Sequence, residues 1–187
     1  EWKEKIRSVK KRALELVHPA TAYAFWPAEA LPVMEWFAGA EVIALGVVSM
    51  GHAIDGEIKA CGKRGELSLA TILDAYASEM AEAATEAVDA VIRREAANLP
   101  LFSGGFAGRR RRSPGYGRWG IASQPDIFGR LPAREIGVEL NSSFVMSPGK
   151  SVSFGIPFGR AMPEDPADAG NVCNLCDKTD CRMPRKQ

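Results

Sequence analysis

The segment Asn141-Ser142-Ser143-Phe144-Val145-Met146-Ser147-Pro148-Gly149-Lys150-Ser151-Val152-Ser153-Phe154-Gly155-Ile156 says most about how this 187-residue chain folds. Phe144-Val145-Met146 begins a strand, Ser147-Pro148-Gly149-Lys150 has the Pro and Gly of a tight turn, and Ser151 to Ile156 leads away as a second strand. The stretch therefore predicts a β-hairpin. Just upstream, Ile136-Gly137-Val138-Glu139-Leu140 alternates apolar and polar residues, the pattern of another strand. Farther back, Ala40 to Ser49 is a short apolar run rich in β-branched residues and closed by Met50-Gly51. It predicts a buried central strand.

Helical patterns surround these strands. Apolar residues recur at Ile6, Val9, Ala13, Leu14 and Val17 among Lys, Arg and Glu, which predicts an amphipathic helix over Glu4 to Val17. A helix is expected after Gly51, and from Ser68, an expected N-cap, to Ala97 strong helix formers run without Pro or Gly. The alanines of that run allow close approach to a neighbouring element. A short helix is expected around Pro125 to Leu131. Between the first helix and the central strand, His18 to Gly39 holds Pro19, Pro27 and Pro32 with Trp26, Trp36 and Phe37, and reads as a connecting segment packed by aromatics. Gly104 to Gly108 followed by Arg109 to Arg112 reads as a long exposed loop. No internal repeat is visible.

Composition narrows the classes. Hydrophobic residues make up 46% and charged residues 25%, as in ordinary globular proteins. The formal charge of +1 provides no field favouring nucleic acid, and no apolar run reaches the roughly 20 residues of a membrane-spanning helix. Neither nucleic acid nor membrane is an expected partner. The N-terminus lacks the apolar core of a secretory signal. Four cysteines do not make a secreted disulfide framework, so a cytoplasmic setting is expected. Residues 1–159 are expected to form one domain, and 160–187 a linker with a Cys-rich tail.

Arg111-Arg112-Ser113-Pro114-Gly115-Tyr116-Gly117, taken with Asn141 to Ser153, resembles the activation domain of cobalamin-dependent methionine synthase. That family carries an Arg-x-(small)-Pro-Gly-Tyr loop followed by a (small)-Glu-Ser-(aromatic)-x-Met-x-Pro-x-x-Ser-Val-Ser segment. A weaker likeness covers Ala81 to Glu86 and Ser49-Met50-Gly51, so the match spans most of Val42 to Gly159. The resemblance implies an α+β fold, with a twisted, mainly antiparallel sheet and flanking helices. It also implies an S-adenosylmethionine-binding module that supports reductive methylation of cob(II)alamin. The cobalamin would be carried by a separate methionine synthase subunit, and a flavodoxin- or ferredoxin-type donor would supply the electron. The chain would then be a methyltransferase component, inactive without its cobalamin-carrying partner.

Residue by residue, the resemblance assigns Arg111, Ser113 and Gly115 to the ligand and Tyr116 to the corrin face. The chemistry agrees: an Arg fork can hold a carboxylate bidentately, and small residues expose backbone groups. The family also places a helical Glu near the ligand's amino group. Glu86 is the first choice here and Glu82 the alternate. Ser142 stands where the family has its acid, a departure that weakens contact to ligand or cobalamin at that position. His18 and His52 are not needed, because holding a sulfonium methyl over cobalt requires positioning and no general base.

Cys173, Cys176 and Cys181 form a CxxC followed by a third Cys, enough to place three thiolates on zinc or an iron-sulfur cluster; Cys61 is the natural fourth if the tail folds back, and otherwise a partner, a water or an Asp would supply it. This leaves two alternatives open. One is a redox activator or accessory binding protein for another corrinoid methyltransferase; the other is a metal-stapled structural protein.

Overall fold

The computed structural model describes residues 2–31, 37–102, 104–116 and 119–163. Its core is an antiparallel sheet of four strands in the order β1-β2-β6-β3, where β1 is Ala20–Pro27, β2 Val42–Ser49, β3 Ala107–Gly108 and β6 Ser151–Gly159. A separate two-stranded sheet pairs β4 (Glu139–Leu140) with β5 (Met146–Ser147). The helices are α1 (Trp2–Leu16), α2 (His52–Lys63), α3 (Leu67–Asn98) and the short α4 (Gln124–Phe128). The fold is α+β with an antiparallel sheet, as expected.

β2 is buried along its whole length because it has layers on both faces. Val42, Ala44 and Val48 join Val9 and Ala13 of α1, Ile54 of α2 and Leu73, Ala77 and Ile92 of α3 in one core. The alternate residues Ile43, Leu45 and Val47 face a second core with Trp119, Ile127 of α4, Leu131 and Val138. This period-two split explains a continuous apolar run in a central strand. α3 stops where Leu99 turns extended ahead of Pro100, the conformation that a following proline favours.

Four local expectations are corrected. His18 to Gly39 is not only a connection, because Ala20–Pro27 pairs with β2 along its length. Its prolines bound the strand instead of interrupting it: Pro19 precedes it and Pro27 is its last residue. Ser68 is not the N-cap of α3; Glu66 occupies that place without a side-chain cap bond. The start is set instead by the end of α2, where Gly65 N donates to Gly62 O and Glu66 N to Cys61 O, with Gly65 at φ +76°. This Schellman turn sends the chain straight into α3.

Nor is Gly104 to Arg112 a free loop. β3 lies on the edge of β6, and the pairing continues as Arg109 N donates to Pro157 O at 3.0 Å while Arg112 and Gly155 exchange backbone bonds of 2.9 and 2.8 Å. Finally, the turn at Ser147 to Lys150 does not close a hairpin. It passes from β5, paired with β4, to β6, paired with β2. The hairpin is β4–β5, where Asn141 Oδ1 accepts from the backbone of Ser143 and Val145. Beyond β6, Arg160 is docked on the body, bonding Glu41 at 2.9 Å and covering the Phe106 ring.

Candidate functional site

One cleft of about 440 Å³ opens where β6 begins, between residues 111–116 and 119–121, the tip of the β4–β5 hairpin and α3. Edge pairing with β6 lays the first motif along its wall. Arg111, Ser113 and Tyr116 line it directly. Pro114, though buried, also lines it, and Gly115, outside the lining, adopts φ +93° so that its N–H reaches Trp119 O at 2.7 Å. A residue with a Cβ is strained at that angle, which accounts for glycine at the turn. Tyr116 stands at the lip, 71% exposed.

The charged pair of the cleft is Arg111 with Glu82, Nη2 donating to Oε2 at 2.9 Å; the side chains are 22% and 58% exposed respectively. Glu82 lies on α3 and lines the cleft, whereas Glu86, one turn farther along, is exposed and lies outside the lining. The two motifs meet here: Met146, Gly149, Ser151 and Ser153 of the second complete the wall opposite the first. Ser142 is exposed and outside the lining.

Several lining residues had no signal that marked them in advance. Gln124, on α4, accepts from Ser153 Oγ at 2.8 Å and ties the floor to β6. Trp119 is buried edge-on against Phe37 at 5.1 Å, and its indole N–H has no hydrogen-bond partner among the described residues. Arg112, part of the first motif but given no role there, adds a second guanidinium to the lining.

Cys61, the fourth ligand expected for the Cys-rich tail, sits on α2. It is fully enclosed in α2, where Arg64 Nη2 donates to its Sγ at 3.2 Å and Glu57 lies at 3.7 Å. Burial pushes its thiol up from the ordinary range. Among the described residues no cluster of His, Cys, Asp or Glu could hold a metal ion. Cys173, Cys176 and Cys181 lie outside the described residues. Among the described residues no helix is long and apolar enough to cross a membrane.

No curated protein matches the chain. Among solved structures, it is similar to the crystal structure of the MetH reactivation domain bound to AdoHcy, with a TM-score of 0.65 at 16% identity. That match covers 87% of this chain and 67% of that one, and at such low identity it speaks for the fold. The family model described as vitamin B12 dependent methionine synthase, activation domain, matches residues 35–163, which hold both sequence motifs and every residue lining the cleft. The chain belongs to the activation-domain family of vitamin B12-dependent methionine synthase.

Proposed function

We propose that the cleft binds S-adenosylmethionine and that this domain supports reductive methylation of cob(II)alamin held by a partner polypeptide of a split cobalamin-dependent methionine synthase. The observation that carries the reading is the Arg111–Glu82 pair inside the cleft built by both motifs. An amino-acid zwitterion inserted between these side chains meets a guanidinium for its carboxylate and a carboxylate for its ammonium. The AdoHcy-bound state of the structurally similar domain supports the same ligand class.

The rest of the lining fits the remaining chemistry. Ile121, Val145 and Met146 offer apolar contact for a nucleoside, and Ser113 and Ser151 offer hydroxyls. Tyr116, Ile121 and Val145 leave an exposed apolar margin at the mouth, which suits the flat face of a corrin presented by the partner. Cobalamin, when presented there, supplies the cobalt that accepts the methyl group. This chain's residues hold the sulfonium and keep the line of attack open. A flavodoxin- or ferredoxin-type donor would supply the electron. Residues 1–159 are the working unit in this reading and 160–187 a tail; the redox alternative, which needs a Cys-ligated centre, draws no support from Cys61.

Equilibrium dialysis with labelled S-adenosylmethionine tests the reading through the two glutamates. Glu82→Gln is expected to weaken binding about tenfold, the scale of one charge-assisted bond, and Glu86→Gln to leave it within about twofold. Equal affinity for the wild type and Glu82→Gln would remove Glu82 from the ligand.

A further inference from the structure

A second ion pair joins the cleft to α3. Lys150, in the turn between β5 and β6, places Nζ 2.8 Å from Asp74 Oδ1 and donates to Ser78 Oγ at 2.8 Å; its side chain is only 16% exposed. Asp74, Ser78 and Glu82 follow one another at i, i+4 and i+8, so they share a stripe of α3 spanning about 12 Å. One end of that stripe is gripped by Lys150 and the other by Arg111.

The turn that carries Lys150 is itself fixed. Gly149 N donates to Asp55 of α2, Met50 N donates to Lys150 O at 2.9 Å, and Ser151 Oγ donates to Pro148 O at 2.8 Å. Gly149 and Ser151, on either side of Lys150, both line the cleft. A shift of α3 against this turn would therefore change the width of the cleft.

We infer that Lys150 is a positioning residue, which holds α3 in register with the cleft so that Glu82 stays opposite Arg111. The inference rests on the S-adenosylmethionine reading of the same cleft. A zwitterion entering between Arg111 and Glu82 opens their direct pair, and the Lys150–Asp74 contact is then an ionic tie that still joins this stripe to the turn beside the cleft wall. Lys150 therefore matters more to the bound state than to the free one. It touches no ligand atom; it acts through Glu82.

The test measures S-adenosylmethionine affinity by equilibrium dialysis and folding by circular dichroism for the wild type, Lys150→Met, Lys150→Arg and Asp74→Asn. Lys150→Met should bind about fivefold more weakly or worse while unfolding near the wild-type temperature. Lys150→Arg should recover most of the loss, and Asp74→Asn should weaken binding in the same direction. Added to Glu82→Gln, Lys150→Met should cost little more, since both act on the same contact. Wild-type affinity in Lys150→Met, or full additivity with Glu82→Gln, would overturn the inference; should Lys150→Met not fold, wild-type affinity in Asp74→Asn overturns it instead. A wild type that binds no ligand overturns the S-adenosylmethionine reading, whereas a wild type that binds and is indifferent to position 150 overturns only the role of Lys150.

Discussion

Phe154→Ala should destabilise the domain by about 3–5 kcal/mol, lowering the thermal midpoint by about 10 °C. Phe154 is completely buried in β6 and belongs to the helix-side core. Directly across the strand pair stands Gly46 of β2, and a Cβ there would overlap the Phe154 ring. The ring thus occupies space that glycine leaves open, and its removal creates a cavity between sheet and helices that β2, paired on both sides, cannot close. Gly46→Ala alone should also destabilise, by overpacking of about 1–3 kcal/mol. In the double variant the added methyl partly fills the void, so its cost should be below the sum of the singles. Thermal denaturation followed by circular dichroism reads all three, and strict additivity would mean that the two residues do not share the space.

The second large effect falls on binding instead of stability. Arg111→Ala should lose about 2 kcal/mol or more of S-adenosylmethionine affinity, roughly thirtyfold, in a calorimetric titration. In the free protein the pair with Glu82 is open to solvent on the acid's side, and such pairs contribute about 0–1 kcal/mol. The unfolding temperature should therefore hardly move. Arg111→Lys keeps the charge but loses the planar fork, and should fall between the wild type and Arg111→Ala. Full binding by Arg111→Ala would mean that the carboxylate is held elsewhere.

Much of the fold was legible where one pattern dominates. The apolar run at β2, the Pro- and Gly-free run of α3 and the amphipathic period of α1 lie close to their observed bounds. What escaped is explained by pairing. β1 reads Ala-Thr-Ala-Tyr-Ala-Phe-Trp-Pro, in a stretch where three prolines suggest a connection, and becomes a strand because β2 offers it a full ladder. β3 is two residues long, too short for any period, and the Arg-rich stretch after it is ordered by backbone bonds to β6, which side-chain identity does not reveal. The turn at Pro148 looked like a hairpin because sequence shows that the chain turns and does not show which sheet each arm joins.

The site was legible in part. Arg111, Ser113 and Tyr116 do line one cleft, together with Met146 and Ser153 from the second motif. The choice between Glu82 and Glu86 depended on how far along α3 the loop crosses it. Helical periodicity puts both on neighbouring parts of one face, and only the tertiary contact with Arg111 separates them. Trp119 and Gln124 come from a segment with no motif, and reach the cleft through the packing of the second core and of α4.

The most direct test of the central claim is a crystal structure of the protein with S-adenosylhomocysteine. The expected result places the ligand in the cleft, with its carboxylate on the Arg111 guanidinium, its ammonium beside Glu82 and its sulfur facing the mouth near Tyr116. A ligand seated away from these residues, at concentrations that saturate the protein, would contradict the assignment.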